Sequence, residues 1–337
     1  MILSDSNKQK VNTLTFVFWI TCGITLLKIS TYFITHSTAI LTDALESIIN
    51  VIAAFFALKS AKWALQPKDL DHPYGHGKIE FLSAGFEGAM ILLAGFFILV
   101  KSVYDIIYPQ TLHQLDVGFA LVSFTALVNF IMGKKLLSIG TKNQSMLMRA
   151  SGKHLISDTI SSLGLLLGLV IIKLTGITLL DPIIAIGFGV YIIYTGQKLV
   201  KESVSSLLDE ADLKKIDEII EVLKKNRKEN WIDVHNLRLQ KYGTESHIDC
   251  HVTLPFYMSL EESHFEIRNI ENIVAEQVQG NLEMFIHSDP CVVEYSCKIC
   301  SVENCTYRKD EQVIKLEWSL ENLLPNKKHT AKKLSNQ

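Results

Sequence analysis

The stretch DHPYGHGKIE (residues 71–80) crowds two histidines and two glycines between two long apolar runs, residues 38–64 and 81–107. Each run exceeds the roughly 20 apolar residues that an α-helix needs to cross the hydrocarbon core of a bilayer. The stretch is therefore expected to be a short loop at the membrane surface. Two imidazoles are unusual in such a loop, and a solvated turn shaped by Pro73, Gly75 and Gly77, or a gating or packing loop, is one explanation for them.

Apolar segments of membrane-spanning length continue on both sides of this loop as far as residue 208. They predict an all-α domain of six transmembrane helices over residues 1–208. The predicted segments are residues 12–34, 38–64, 81–107, 115–137, 152–174 and 180–201.

The loops between these segments differ in basic residues. The connections after the second and fourth segments are rich in lysine, whereas those after the first and third carry no Lys or Arg. The positive-inside rule then places both termini in the cytosol of a multi-pass protein of the cell membrane. The formal net charge of −2 gives no basic excess for nucleic-acid binding.

The pattern changes after residue 208. Residues 212–228 and 261–278 have helical apolar spacing, while residues 246–254 and 281–289 alternate as strands do, and a further strand is expected near 233–241. The order α-β-β-α-β over residues 209–291 predicts a small cytosolic α+β domain, an open-faced sandwich with its helices on one side of the sheet.

Residues 292–337 are predicted to form a cysteine-containing, partly disordered C-terminal tail, solvated from Asn326 onward. Cys291, Cys297, Cys300 and Cys305 include a CxxC pair and form a candidate thiolate site for zinc. In a reducing cytosol disulfides are not expected. Free thiols are the alternative.

Polar residues inside the second and fifth segments do not suit a lipid environment. Glu46 and Asn50 are four residues apart, as are His154 and Asp158, so each pair lies on one face of its helix. Facing one another, the pairs would supply four nitrogen or oxygen ligands, enough for a tetrahedral divalent cation. Hydrogen bonding between helices is the alternative.

The motifs QPKDLDHPYGHGK (66–78), the Glu46–Asn50 pair and HLISD (154–158) resemble the cation diffusion facilitators over about residues 12–291. These are six-helix, usually dimeric antiporters that exchange divalent metal ions for protons. The resemblance assigns Glu46, Asn50, His154 and Asp158 to the transport site. The family more often has two aspartates, or His and Asp, on the second helix, so Glu with Asn leaves the choice of metal open.

The resemblance also implies two cation sites outside the bilayer. One is in the loop, on Asp69 and His76, with Asp71 and His72 as spare ligands. The other is a paired site in the cytosolic lobe of the dimer, and its five positions are His235, His251, His264, His287 and Asp289.

The function expected from this resemblance is export of Zn²⁺ or a similar ion (Fe²⁺, Co²⁺, Cd²⁺ or Mn²⁺) from the cytosol by a homodimer, in exchange for protons. Zinc is also the metal expected in the cytosolic domain. A membrane metalloenzyme is disfavoured, since the helices contain no HExxH and no pairing of a nucleophile with a base. The alternative function is a membrane-anchored metal sensor without transport.

Overall fold

The computed structural model describes residues 5–35, 38–108, 115–175 and 180–329, apart from the side chains of some residues within the membrane helices. The chain divides into two compact units, residues 1–208 and 209–337.

The first unit consists of six long helices. Their bounds are α1 Asp5–Thr35, α2 Thr38–Ala64, α3 Ile79–Ile107, α4 Leu115–Lys142, α5 Met146–Thr175 and α6 Leu180–Leu207. The sequence predicted all six. The predicted end of α4 lies five residues before the observed end, and the predicted start of α5 lies six residues after the observed start. Hydropathy detects only the part of a helix that matches the bilayer core.

The membrane helices pack in pairs, α1 on α2, α3 on α6 and α4 on α5, and α5 also contacts α2, α3 and α6. Small residues allow close approach. A Cβ added at Gly88 would lie 2.9 Å from Val200 Cγ2, and one at Gly196 would lie 2.9 Å from the Gly88 carbonyl oxygen. Glycine at both positions brings the α3 and α6 backbones together, as is common between helices in membranes.

Three of the helices meet the length and hydropathy expected of a membrane span on their described residues alone: Lys8–Ser30, Ile79–Ile107 and Phe119–Lys142. Their apolar side chains are largely exposed, including Trp19, Phe96 and Phe97. In a bilayer these side chains contact lipid, so exposure that would be unfavourable in water is expected here.

The second unit follows the predicted order, with α7 (Leu213–Lys225), β1 (Asp233–Tyr242), β2 (Glu245–Leu254), α8 (Leu260–Gln277) and β3 (Asn281–Pro290). The sheet order is β1-β2-β3, with β1 antiparallel to β2 and β2 parallel to β3. Two short helices come later in the chain, α9 (Val293–Ser296) and α10 (Leu320–Leu323).

A β-bulge interrupts β1. His235 pairs with His251 and Arg238 pairs with Asp249, so two residues of β1 oppose one residue of β2. Asn236 has φ +55°, in the left-handed region that asparagine tolerates better than most residues. The bulge reverses the alternation, so that Leu237 and Leu239 enter the core while His235 shares the opposite face with its partner His251.

The core of this unit includes residues beyond β3. Leu316, Trp318 and Leu323 are buried with Ile219 and Ile248 in one cluster. Arg227 holds Trp318 in place: its guanidinium stacks 4.3 Å from the indole ring and donates a hydrogen bond to the Leu316 carbonyl (2.7 Å). The segment after residue 291 is thus packed on the α+β domain as far as it is described.

Candidate metal centres

Three of the four predicted intramembrane ligands meet between α2 and α5. The Asn50 side-chain amide donates to Asp158 Oδ2 (2.8 Å), and Asn50 Oδ1 lies 3.1 Å from His154 Nε2. His154 Nε2 and Asp158 Oδ2 are 3.9 Å apart, one helical turn from each other on α5. The spacing therefore brings together donors of the type that bind a small divalent cation.

The fourth predicted ligand, Glu46, falls outside the residues whose side chains are described, as does Asp43. The α2 backbone is helical through both positions. Glu46 is one turn before Asn50, so both lie on the same face of α2.

The sequence reasoning missed a buried acid beside this site. Glu87 of α3 is 2% exposed and accepts a hydrogen bond from Ser151 Oγ (2.6 Å), while its Oε2 has no partner among the described residues. A small cavity is lined by Glu87, Ser151, Asn50 and His154, together with residues of α1. A glutamate in the apolar run FEGAMILL (86–93) was the available signal.

A second group lies in the loop between α2 and α3. Asp69 Oδ2 is 3.3 Å from His76 Nε2, and Asp69 Oδ1 is 3.1 Å from His72 Nδ1, with the two imidazole rings 4.3 Å apart. His76 is buried whereas Asp69 and His72 are exposed. His72, expected only as a spare ligand, is thus a full member of the group, and the exposed Asp71 is not.

Turn geometry explains the choice between the spare ligands. The His72 amide donates to Asp69 Oδ1 (2.7 Å), which closes a turn over residues 69–72, and Gly75 has φ +88°. This turn brings the His72 ring back over Asp69. The His72 backbone hydrogen bond is also the main cause that holds the pKa of Asp69 below its usual value, so the carboxylate is ionised and ready to bind a cation.

The third group is on the face of the sheet opposite the core, where His235 is buried and His287 is exposed. His235, His251 and His287 form one row across β1, β2 and β3, since each is paired with the next in register. Asp289 Oδ2 is 3.5 Å from His235 Nε2 and 3.2 Å from His251 Nδ1, while its Oδ1 is 3.3 Å from His287 Nδ1. Asp289 therefore connects all three imidazoles.

Of the five residues predicted in this domain, His264 is the one that stands apart. It is exposed on α8 and does not belong to the group of His235, His251 and Asp289.

A buried carboxylate supports this group from behind. Asp233 Oδ2 lies 3.5 Å from His235 Nδ1, and Asp233 accepts hydrogen bonds from the backbone amide of His329 (3.0 Å) and from its Nδ1 (2.7 Å). Burial by itself would raise the pKa of Asp233, but the contacts with His235 and His329 outweigh it and hold the pKa well below the usual range. Carboxylates placed in this way orient metal-binding imidazoles.

The tail also reaches Asp289 directly. Lys328 Nζ is 3.4 Å from Asp289 Oδ1. The expectation of a solvated tail therefore does not hold for Lys328 and His329, because charged partners on the sheet hold them. The rest of that prediction, residues 330–337, lies outside the described residues.

The four clustered cysteines are free thiols. Cys297 and Cys300 are buried, and Cys291 and Cys305 are partly buried. They are not among the groups of described residues that place three ligand atoms within 4.8 Å of one another.

Comparisons with known families match both units. The family model of the cation efflux transmembrane domain covers residues 14–208, and that of the cytoplasmic domain of cation efflux proteins covers residues 211–291. The chain belongs to the cation efflux family. This is the cation diffusion facilitator family that the motifs indicated, and its members are transporters and not enzymes.

Two relatives in this family are similar over most of their length. An uncharacterized transporter of Synechocystis sp. is 32% identical over 264 residues, which is 78% of this chain and 85% of that protein. The cation-efflux pump FieF of Salmonella newport is 28% identical over 276 residues, 80% of this chain and 89% of that protein. The protein is thus a multi-pass cation efflux transporter with two domains.

Proposed function

We propose that this cation efflux protein exports Zn²⁺, or a similar divalent ion such as Fe²⁺, Co²⁺, Cd²⁺ or Mn²⁺, from the cytosol in exchange for protons. The observation that carries the proposal is the network of Asn50, His154 and Asp158, which joins α2 to α5 through ligand-type atoms 2.8–3.9 Å apart. Glu46, one turn before Asn50, is proposed as the fourth ligand. An imidazole in the set favours zinc-like ions over ions that prefer oxygen alone.

Metal ions and protons compete for the same ligand atoms, and this competition couples metal export to proton import. Asn50 Oδ1 can only accept, so the hydrogen in its contact with His154 lies on Nε2. A metal held through Nε2 requires the neutral imidazole with its hydrogen on Nδ1, and protons that add to His154 or Asp158 weaken metal binding. Alternating access would load the site from the cytosol and open it to the outside, where protons replace the ion.

The test is transport by the purified protein in proteoliposomes that enclose one dye for zinc and one for pH. We expect Zn²⁺ to enter the lumen as protons leave it, and Asp158→Asn to abolish this flux while preserving side-chain shape. Ser161→Ala is the matched control, three residues further along α5, where the hydroxyl bonds only to the Ser157 carbonyl among described residues. Wild-type flux in Asp158→Asn would overturn the site, and zinc flux without proton flux would overturn the exchange.

Two further proposals accompany the transport site. Asp69, His72 and His76 would bind cations at the cytosolic mouth of the bilayer, and the histidine row with Asp289 would bind zinc in the cytoplasmic domain.

We also propose a homodimer in the cell membrane with both termini in the cytosol. This topology is supported by lysine-rich loops after the second and fourth helices. The alternative function is a metal sensor without transport, for which no zinc flux is expected in the same liposomes.

A further inference from the structure

Beyond transport, we propose that Cys291, Cys297, Cys300 and Cys305 bind one structural Zn²⁺ that fastens the segment after β3 to the cytoplasmic domain. The cytoplasmic-domain family model ends at residue 291, so three of the four cysteines lie in the part of the chain that follows it.

The four thiols lie close together in the chain, at three successive points of residues 291–305. Cys291 follows the end of β3, Cys297 and Cys300 enclose a single 3₁₀ turn, and Cys305 lies in the loop after it. Cys291 interacts electrostatically with Cys297, Cys300 and Cys305, and Cys300 also interacts with Cys305. Convergence of a CxxC turn with two outlying cysteines is the ligand arrangement of structural zinc sites.

Hydrogen-bond donors point at the sulfurs, as thiolate ligands require. The Phe256 amide donates to Cys291 Sγ (3.4 Å), and the Val302 amide donates to the Cys300 sulfur. The Tyr257 hydroxyl forms a hydrogen bond with Cys305. These donors only partly offset burial, which raises the pKa of the Cys291 and Cys300 thiols. Cysteines that serve only as small apolar core residues do not need three such donors.

Charge near the cluster is also suited to thiolates. The Arg308 guanidinium interacts favourably with Cys300 and donates hydrogen bonds to the Cys300 carbonyl (3.1 Å) and the Val302 carbonyl. A four-thiolate zinc site carries a formal charge of about −2, which a neighbouring guanidinium partly offsets.

The sulfurs are grouped but not at ligand distance, since three of them do not lie within 4.8 Å of one another. Binding of one ion therefore requires the sulfurs to move closer together. Thiolates favour Zn²⁺, and Co²⁺ or Cd²⁺ as substitutes, over ions that prefer oxygen. A site closed by four protein ligands leaves no position for exchange, so the bound ion is structural and not cargo.

The segment after these cysteines has little regular structure, so a metal crosslink would help to hold it on the domain. Residues 300–319 contain no helix or strand, yet they carry Leu316 and Trp318 into the core and lead to Lys328 and His329 beside the histidine row. An irregular segment of this kind gains little from backbone hydrogen bonding. A metal bound by four of its thiols is a common means of holding one.

The test uses the full-length protein in detergent, stripped of metal with a chelator under reducing conditions and then loaded with Co²⁺. We expect a thiolate-to-cobalt charge-transfer band that an excess of Zn²⁺ removes. Cobalt bound by histidines and carboxylates gives no such band, so the transport and histidine sites do not interfere. Absence of the band in the wild-type protein would overturn the proposal.

Variants assign the band to these thiols. Cys297→Ser/Cys300→Ser should lose it, whereas Cys22→Ser, in the membrane helix α1, should keep it. Cys305→Ser, at the less buried end of the cluster, serves if the double variant does not fold, and it should weaken or shift the band. A full band in either cluster variant would contradict the site. Denatured, chelator-treated protein should show all six thiols, and fewer would mean that disulfides and not a metal join them.

Discussion

The Asn50 amide donates a 2.8 Å hydrogen bond to Asp158 Oδ2, which joins α2 to α5 in the middle of the proposed transport site. In this orientation the amide nitrogen faces the carboxylate and the amide oxygen faces His154. An amide nitrogen cannot bind a metal, so loading requires Asn50 to turn its oxygen toward the ion. The same amide thus links the two α5 ligands to each other through α2.

Asn50→Asp should tighten zinc binding, because it replaces a neutral ligand with an anionic one and removes the need for the amide to turn. We expect the zinc concentration for half-maximal transport to fall by about tenfold, or roughly 1.4 kcal/mol. The measurement is the concentration dependence of zinc uptake in proteoliposomes. Gln144→Glu is the control, since it adds the same charge in the exposed turn before α5. Unchanged zinc dependence would mean that Asn50 does not contact the ion.

Glu87→Gln should slow transport severalfold without preventing folding. Glutamine keeps the shape of the side chain and the acceptor for Ser151 but removes the acid from the cavity that it shares with Asn50 and His154. The initial rate of zinc uptake gives the result, and Ser83→Ala, a buried polar change earlier on α3, is the control. A wild-type rate would make Glu87 a packing residue only.

Stability of the membrane domain should depend on a buried ion pair. Lys10 of α1 pairs with Glu80 of α3, both 2% exposed, and Glu80 also accepts from Ser145 Oγ (2.8 Å). Removing one partner leaves the other charge buried alone, so Lys10→Met or Glu80→Met should cost about 3–5 kcal/mol. The double variant should cost less than the sum of the two.

Thermal unfolding of these variants in detergent measures the effect. Lys8→Met, on the exposed side of α1, is the control and should change little. Additive losses in the double variant would show that the two charges do not stabilise one another.

Lys328→Ala should strengthen zinc binding at the histidine row. Its ammonium lies 3.4 Å from Asp289 Oδ1 and competes with a cation for that carboxylate. Because Lys328 is partly exposed, we expect only about a two- to fivefold gain in affinity, equivalent to roughly 0.5–1 kcal/mol. Zinc titration calorimetry of the full-length protein measures it, with the exposed neighbour Lys327→Ala as control. Weaker binding in Lys328→Ala would mean that the tail supports the site.

Hydropathy and apolar period determined the helices and strands, because burial in lipid or in a core repeats at fixed intervals along the chain. The same periodicity placed His154 with Asp158 on one face of α5, and Glu46 with Asn50 on one face of α2. Their i,i+4 spacing required no knowledge of the fold. The motifs around these residues indicated the family.

Contacts between distant segments were decided by the tertiary structure alone. No pattern in β1 accounted for His235, which an alternating strand would place on the face of Leu237 and Leu239. The bulge at Asn236 turns it to the side of His251 and Asp289. Glu87 beside the transport cavity, and Lys328 and His329 against the histidine row, likewise depend on packing across long loops. Local periodicity reports which face of an element is buried, but partners far apart in the chain are chosen only when the elements pack.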